Sequence, residues 1–437
     1  METGQEPGAA PGRGAAPNGA SLPYRAYFLG LLVVSYMVNF TDRQLLSILL
    51  EPIKRDLALA DWQLGTLGGI AFALFYVTLG VPIAKLSDRF SRVNILAGAI
   101  ALWSLATAAC GLTTNFIQLL LVRIGVAVGE SAGTPPSYSL ISDIFEPKRR
   151  ATAIGIYVAG PPLGTALGLA LGGWVSQSIG WRMTFVVVGL PGLALALLMK
   201  LTLREPPRGG SEGRTDEVAA PPAMAVARLL ARRPAFLALA TASGVAAFAG
   251  YAMSLWLPSF FIRSHGLSAG EAGTWLAVIN FCAGIGGGVL GGSIADRLAV
   301  RDRRWLAIVP AIGMAIAAPA AVVAFLTRDT GVALAGIAVA LLFYYSWAGP
   351  VYSAVQAMVG LRMRAVSVSL LLFIINLLGL GLGPPIIGAV SDALLESAGD
   401  QSLRLSLLIT APVFLLAAAL YALGAVRLRA DLDRAPA

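Results

Sequence analysis

Charged residues, cysteine and histidine are all scarce in this chain of 437 residues, and each scarcity excludes a class of protein. Only 13% of the residues are charged while 57% are hydrophobic, which excludes an ordinary soluble domain. The two cysteines, Cys110 and Cys282, both lie in apolar runs, so the sequence predicts no disulfide framework. With a single histidine, His265, a multi-histidine metal site is excluded as well. We therefore predict neither a bound metal nor a cofactor.

Long apolar runs fill the chain instead. Twelve runs of about 20 residues lie between residues 26 and 426, and each is long enough to cross a bilayer. Of the 32 Lys and Arg residues, 24 fall on one side of these runs and six on the other. Because positive loops stay in the cytoplasm, both termini are predicted to be cytoplasmic. Short loops without a glycosylation site favour a bacterial inner membrane, and the net charge of +9 reflects topology, not nucleic-acid binding.

The runs divide into two similar halves of six. An Asp-Arg pair follows the second run, at Asp88 and Arg89, and again follows the eighth, at Asp296 and Arg297. Such a repeat predicts an all-α membrane protein with two pseudo-symmetric six-helix bundles around a midplane cavity. The predicted divisions are a disordered tail 1–23, a first bundle 24–203, a cytoplasmic linker with a short amphipathic helix 204–233, a second bundle 234–427 and a tail 428–437.

Four ionisable side chains interrupt the runs of the first half. Asp42 and Arg43 are adjacent in the first run, and Arg123 and Glu130 lie seven residues apart in the fourth, on one face of a helix. Charges at bilayer depth are costly, so they indicate a functional site more often than a structural salt bridge.

Polar residues of the first run recur at helical spacing. They form one stripe, which we expect to face the cavity, and it consists of Ser35, Asn39, Asp42, Arg43 and Ser47.

The second half has no clear charged counterpart at this depth. It supplies aromatic and weakly polar candidates for the cavity wall, although such residues often serve only packing: Tyr251, Trp256, Asn280, Tyr344, Tyr345 and Asn376. One charged wall and one apolar wall suit an amphipathic solute with an anionic or zwitterionic head.

Two kinds of motif resemble a known family. Asp88, Arg89 and Arg92 resemble the loop motif of the major facilitator superfamily, and residues 39–44 and 123–136 are similar to the spinster family. The resemblance implies alternating access and a lipid-like substrate, such as a lysophospholipid or sphingosine-1-phosphate, moved with a proton gradient. It also implies that the residues at the cytoplasmic edge form a gating latch, namely Asp88, Arg89, Arg92, Asp296 and Arg297.

Taken together, these features predict a monomeric proton-coupled transporter, not an enzyme. Asp42 and Glu130 are the predicted proton carriers, and Arg43 and Arg123 are predicted to bind the anionic head of the substrate. A proton-driven exporter of drugs or small organic anions is the alternative within this fold. A lipid-modifying membrane enzyme is disfavoured because no nucleophile and base are placed together in the sequence.

The fifth run contains a ladder of glycines four residues apart: Gly160, Gly164, Gly168 and Gly172. Small residues at this spacing predict a face on which another helix packs closely.

Overall fold

The computed structural model describes residues 21–208, 222–360 and 363–433 of the chain. Within those residues the regular structure is helical and no strand is present. Residues 1–20 of the predicted tail and residues 209–221 of the predicted linker lie outside the described part. The side chain of Asp88, one of the predicted latch residues, also lies outside it.

The helices, in chain order, are α1 Leu22–Leu57, α2 Asp61–Gly68, α3 Ile70–Arg89, α4 Arg92–Cys110, α5 Phe116–Ser131, α6 Thr134–Ile144, α7 Pro147–Val158, α8 Gly160–Thr202, α9 Ala223–Ala231, α10 Pro234–His265, α11 Ala269–Ala299, α12 Trp305–Leu326, α13 Thr330–Tyr344, α14 Ala348–Ala357, α15 Arg364–Ile375, α16 Gly381–Ala393, α17 Leu395–Ala398, α18 Ser402–Leu407 and α19 Thr410–Asp433. A π-helical segment, Asn376–Leu380, joins α15 to α16.

Nine of the described helical segments are long and apolar enough to cross a membrane. One of them, Pro147–Thr202, spans 56 residues and is broken at Gly180, whose φ of 78° lies in the left-handed region. Glycine adopts that region without the steric penalty of a side chain, so the chain can reverse there. The predicted all-α membrane fold is confirmed, whereas the count of twelve crossings stays a prediction.

The helices α1 and α8 pack closely along the glycine ladder. A Cβ added to Gly164 would lie 2.1 Å from the carbonyl oxygen of Met37, and one added to Gly168 would lie 2.6 Å from that of Thr41. The Thr41 hydroxyl also donates to the Gly164 carbonyl at 3.1 Å. The predicted packing face is therefore confirmed, and it fixes the helix that contains Asp42 and Arg43.

The first described helix of the chain begins, and the last one ends, at the same end of the bundle. Arg204 N donates to the Tyr24 hydroxyl at 2.8 Å, which joins the start of α1 to the linker. The Asp431 carboxylate, near the end of α19, accepts from Ala235 N at 2.7 Å at the start of α10. We call this end of the bundle the termini side and the opposite end the far side.

On the far side the two halves touch backbone to backbone. A Cβ on Gly65 of α2 would lie 2.4 Å from the Pro384 carbonyl oxygen of α16, and one on Gly273 of α11 would lie 2.2 Å from that of Leu169 in α8. Approaches this close need glycine at the contact. The far side is therefore closed in this conformation.

Helices extend into two predicted non-bundle segments. The helix α9, Ala223–Ala231, lies within the predicted linker, and α19 continues to Asp433 through most of the predicted C-terminal tail.

Candidate functional site

The centre of the first half holds a buried ion pair between α1 and α5. Arg43 Nε donates to Glu130 Oε2 at 2.5 Å, and the Glu130 side chain is fully buried. Glu130 Oε1 has no hydrogen-bond partner within the described part of the chain. The structure thus brings together two of the residues singled out from the sequence.

Three aromatic rings surround the Arg43 guanidinium. Its central carbon lies 5.1 Å from the ring centre of Phe40, 4.9 Å from that of Phe72 and 4.7 Å from that of Tyr76. Each distance is short enough for a cation–π interaction, which helps to hold a guanidinium away from water. The sequence does not predict these rings as site residues, because their spacing is that of ordinary packing residues.

Asp42 points away from Arg43 and lies against α4. It is fully buried, and its Oδ2 accepts from the Thr107 hydroxyl at 3.3 Å. Its Oδ1 has no partner among the described residues. Neighbouring positions on a helix are about 100° apart, so the predicted stripe of α1 divides: Arg43 and Ser47 line the cavity, whereas Asp42 lies in the helix interface.

Arg123 of α5 is a buried cation with unused donors. Only 2% of the residue is exposed, and its Nε and Nη1 have no hydrogen-bond partner in the described residues. Its guanidinium carbon lies 5.6 Å from the Phe72 ring centre. Buried donors of a cation are costly to leave unpaired.

A cavity with a volume of about 70 Å³ lies between the halves, beside Arg43 and Arg123. One hydrogen bond crosses it, from Gln44 Nε2 of α1 to Ser254 Oγ of α10 at 3.1 Å. Its lining consists of Phe40, Arg43, Gln44, Leu46, Ser47, Gly68, Phe72, Arg123, Tyr251, Ser254, Leu255, Leu380 and Pro384. Sites for drug-sized ligands have roughly 300–1,000 Å³, so a substrate of that size would require the walls to move.

The residues predicted to line the second-half wall have mixed positions. Tyr251 lies in the lining, and its hydroxyl donates to Asn376 Oδ1 at 3.3 Å. The Tyr345 hydroxyl donates to Asn280 Oδ1 at the same distance of 3.3 Å, away from the cavity lining.

Two other predicted wall residues, Tyr344 and Trp256, are core residues. Tyr344 is 8% exposed and packs on Gly250 of α10. Trp256 is fully buried, and its indole N–H donates to the Pro384 carbonyl at 2.9 Å, which satisfies its polar atom inside the helix interface. Asn39, predicted as a wall residue of α1, is 5% exposed and is absent from the described lining.

The sequence did not predict a cluster of ionic contacts on the far side. Arg263 of α10 donates to both oxygens of Asp61, at 2.7 and 2.8 Å, and to Glu51 at 2.7 Å. Asp61 also accepts from Lys54 at 2.6 Å and from Ser391 at 2.7 Å. Burial alone would raise the pKa of the Asp61 carboxyl, but the hydrogen bonds from Arg263, its charge, and the hydrogen bonds from Lys54 and Ser391 together lower this pKa to about 2.

Asp392 of α16 completes this far-side cluster by capping a helix of the other half. It accepts from Asp61 N at 3.0 Å and from Trp62 N at 2.7 Å, at the first residues of α2. The preceding residue, Ala60, has no side-chain acceptor of its own. The sequence indicates the membrane side on which the charged residues at the loop ends lie, but it does not indicate which of them form ion pairs.

On the termini side the predicted latch residues make no described contact between the halves. Arg92 is 3% exposed and pairs with Asp143, and it donates to Glu205 at 2.7 Å and Ser139 at 2.7 Å, so its side-chain partners belong to the first half and the adjoining linker.

The other three latch candidates, Arg89, Asp296 and Arg297, are exposed and have no ion pair within residues 21–208, 222–360 and 363–433. In this conformation the halves are joined on the far side.

Comparisons with known proteins identify the family of this chain. The family profile described as Major Facilitator Superfamily matches residues 32–384. An MFS-type efflux pump of Mycolicibacterium smegmatis is 32% identical over 94% of this chain and 95% of its own length. Protein spinster homolog 1 of Homo sapiens is 27% identical over 94% of this chain and 82% of its own length.

A solved structure is also similar along nearly the whole chain. It is a bacterial homologue of the human lysosomal transporter spinster, in an inward-facing and unoccupied conformation, and it is 34% identical with a TM-score of 0.87. The match covers 94% of this chain and 99% of that one. The chain therefore belongs to the major facilitator superfamily and is a membrane transporter of the spinster type, not an enzyme.

Proposed function

We propose that the protein is a proton-coupled transporter of amphipathic, lipid-like solutes with an anionic head, working by alternating access. The observation that supports this proposal is the arrangement of Arg43, Glu130 and Arg123 at the cavity. One guanidinium is paired with a buried carboxylate, and the other has two donors without a partner among the described residues. An anionic head group that entered the cavity would meet both cations.

Coupling follows from competition for Arg43. While the cavity is empty, Arg43 holds Glu130 in its ionised form through a charge-assisted hydrogen bond. A phosphate or carboxylate of the substrate that takes over the Arg43 donors removes the direct partner of Glu130 and leaves a buried, poorly compensated carboxylate. Such a group takes up a proton, because an uncompensated charge inside a protein is costly.

Asp42 is the second proton carrier in this proposal. Its carboxylate has one weak hydrogen bond, from Thr107, and one oxygen without a described partner. Arg123 lies near enough to act electrostatically on both Asp42 and Glu130. A phosphate bound to Arg123 would therefore weaken the stabilisation of both carboxylates at once, which links substrate binding to proton uptake at two positions.

The far-side cluster supplies the closed gate of the cycle. Arg263 and Asp392 belong to the second half, and Glu51, Lys54 and Asp61 to the first, so opening the far side must break these contacts. With the termini in the cytoplasm of a bacterial inner membrane, the conformation described is closed to the outside. A monomer is sufficient for this cycle, since both gates and the cavity lie within one chain.

The alternative substrate class is small organic anions or drugs, moved outward by the same carboxylates. The 32% identity to an MFS-type efflux pump favours this alternative, while the spinster relatives favour a lipid-like substrate. A cavity lined by Phe40, Phe72, Leu255 and Leu380 offers apolar surface beside the two cations, which suits a head group with an attached chain.

The test is transport in proteoliposomes under an imposed pH gradient. Glu130→Gln and Asp42→Asn should each abolish gradient-driven uptake while substrate exchange without a gradient continues. Glu396→Gln is the matched control, because it removes an exposed carboxylate on the far side. If both Glu130→Gln and Asp42→Asn kept full gradient-driven uptake, these acids would not be the coupling groups.

The substrate class is tested separately by thermal shift. Lysophospholipids and sphingosine-1-phosphate are compared with small organic anions of equal charge, since a ligand stabilises the folded state it binds. The shift should be larger for the lipids and should be lost in Arg123→Gln. A shift from the small anions alone would favour the exporter.

A further inference from the structure

We infer that the short helix between the two halves forms a binding site for the head group of an anionic phospholipid. The site is a groove on the termini side lined by Ala225, Arg228, Leu229, Arg232 and Arg233. We call it the linker-helix groove. It is remote from the transport cavity, and the proposed transport function does not depend on it.

The helix α9 is held in place by its apolar face. Val226 and Leu230, four residues apart, are both fully buried in the core of the second half. The other face carries Arg228 and Arg232, also four residues apart and both exposed. Residues at this spacing lie side by side on a helix, so the two guanidiniums form one cationic edge above Ala225 and Leu229.

The cationic edge lacks a described counter-charge. Neither the Arg228 nor the Arg232 guanidinium has an ion pair or hydrogen bond within residues 21–208, 222–360 and 363–433. Asp431, the acid of this corner, already accepts from Ala235 N at 2.7 Å. Its carbonyl accepts from Arg233 Nη1 at 2.9 Å, which fixes Arg233 as the rigid wall of the groove.

A second basic groove on the same side provides a contrast. It is lined by Arg301, Arg303 and Arg429, but also by Asp302 and Asp433, so much of its positive charge is balanced. Among the described residues, the lining of the linker-helix groove contains no acid.

The position of α9 places the groove at the membrane surface. The helix ends at Ala231, three residues before Pro234, where the membrane-crossing helix α10 begins. A phosphate beside Arg228 and Arg232 would therefore sit at head-group level, with Leu229 below it for the first part of an acyl chain. Anionic lipids of the cytoplasmic leaflet have this charge and position, and basic residues beside a transmembrane helix attract them.

The experiment titrates the full-length protein with phosphatidylglycerol and with phosphatidylcholine and counts bound lipids by native mass spectrometry. We expect phosphatidylglycerol to bind more tightly than phosphatidylcholine, and the double variant Arg228→Gln, Arg232→Gln to lose about tenfold in phosphatidylglycerol affinity. The variant Arg228→Lys, Arg232→Lys should keep most of the affinity. Both positions are exposed, so the fold is retained, as an unchanged melting temperature would verify.

The matched control is Arg301→Gln, Arg303→Gln, which removes the same charge at the balanced groove and should change the affinity little. An equal loss in both double variants would overturn the proposal, because net charge alone would then explain binding. Equal affinity for the two lipids would also overturn it. Full competition by inorganic phosphate would overturn it too, because the groove would then bind a soluble anion. A large gain in lipid affinity on neutralising Glu212, Asp216 and Glu217 would also overturn it, because the linker itself would then occupy the groove.

Discussion

Arg263 donates from both terminal nitrogens to the two carboxylate oxygens of Asp61, at 2.7 and 2.8 Å, across the boundary between the halves. A bidentate pair of this kind fixes distance and orientation together. It lies in the proposed closed gate and not in the cavity, so we expect it to act on the equilibrium between conformations.

Replacing Arg263 with Gln should shift this equilibrium toward the far-side-open conformation. The closed conformation would then bury the Asp61 charge without its main partner, at a cost of about 3–5 kcal/mol, whereas the open one exposes it to water. The measurement is labelling of Ser254→Cys in the cavity by a membrane-impermeant maleimide from the far side, in a Cys282→Ala background.

Arg182→Gln is the control for this experiment. Arg182 also forms an ion pair on the far side, but its partner Asp56 belongs to the same half. Labelling should stay at the wild-type rate in Arg182→Gln. An equal increase in both variants would mean that loss of a surface cation, and not loss of a contact between the halves, opens the gate.

The far-side cluster should be insensitive to pH over the physiological range. The pKa of Asp61 is about 2 in the folded protein, below its ordinary value of 3.8. The stabilisation from the ionised form is therefore complete above about pH 4 and is lost only as the pH falls through 2. Spin labels at Leu112→Cys and Glu396→Cys should give the same far-side distance from pH 5 to about pH 8, while Asp61→Asn should lengthen it at every pH. A distance that changed near pH 6 in the wild type would contradict this assignment.

Thr107→Val should alter the pH profile of transport with little effect on folding. The substitution keeps the side-chain volume and removes the hydroxyl that donates to Asp42 at 3.3 Å. This hydrogen bond is long, so we expect a contribution of about 1.5 kcal/mol, at the low end for a bond to a charged group, and its loss disfavours the ionised carboxylate. We expect the pH of half-maximal uptake to rise by about one unit in proteoliposomes.

The conservative variant Thr107→Ser distinguishes this role from packing. Serine keeps the donor and loses a methyl group, so it should keep the wild-type pH profile. If Thr107→Ser shifted the profile as far as Thr107→Val does, the packing of α4 against α1 would be responsible, and the hydrogen bond would not.

Gly164→Ala should destabilise the first half by about 1–3 kcal/mol, which is typical of overpacking. The added Cβ would lie 2.1 Å from the Met37 carbonyl oxygen, and a backbone atom cannot move aside as a flexible side chain can. Gly155→Ala is the control, because no described atom lies within 4 Å of its Cβ position. Thermal unfolding in detergent should show a lower melting temperature for Gly164→Ala and an equal or higher one for Gly155→Ala. Equal loss in both would show that the ladder is not a tight contact.

Much of the fold was predictable from composition and spacing. Runs of apolar residues predict membrane helices directly, and the period of four in the ladder from Gly160 to Gly172 predicts close packing without naming the partner helix. The pairing of Arg43 with Glu130 was also predictable, because two opposite charges buried in different helices have few other partners inside the membrane.

The remaining contacts depend on how helices rotate and tilt, which a single sequence does not specify. Asp42 and Arg43 are adjacent in sequence, yet one contacts Thr107 in α4 and the other Glu130 in α5. Trp256 is of a residue type that often lines cavities, but its hydrogen bond to the Pro384 carbonyl holds it in the core. The partnership of Asp61 and Arg263 joins residues 202 positions apart, and no local pattern reveals it.

Asp392 of the second half caps the N-terminus of α2 in the first half. The stability of this helix end therefore depends on the position of the second half. When the far side opens, the N–H groups of Asp61 and Trp62 lose their acceptors, and a lost cap costs about 1 kcal/mol. The first turn of α2 then becomes the part of the helix most prone to fray. Amide hydrogen exchange at these two residues would therefore report, in the unmodified protein, how often the transporter visits its far-side-open state.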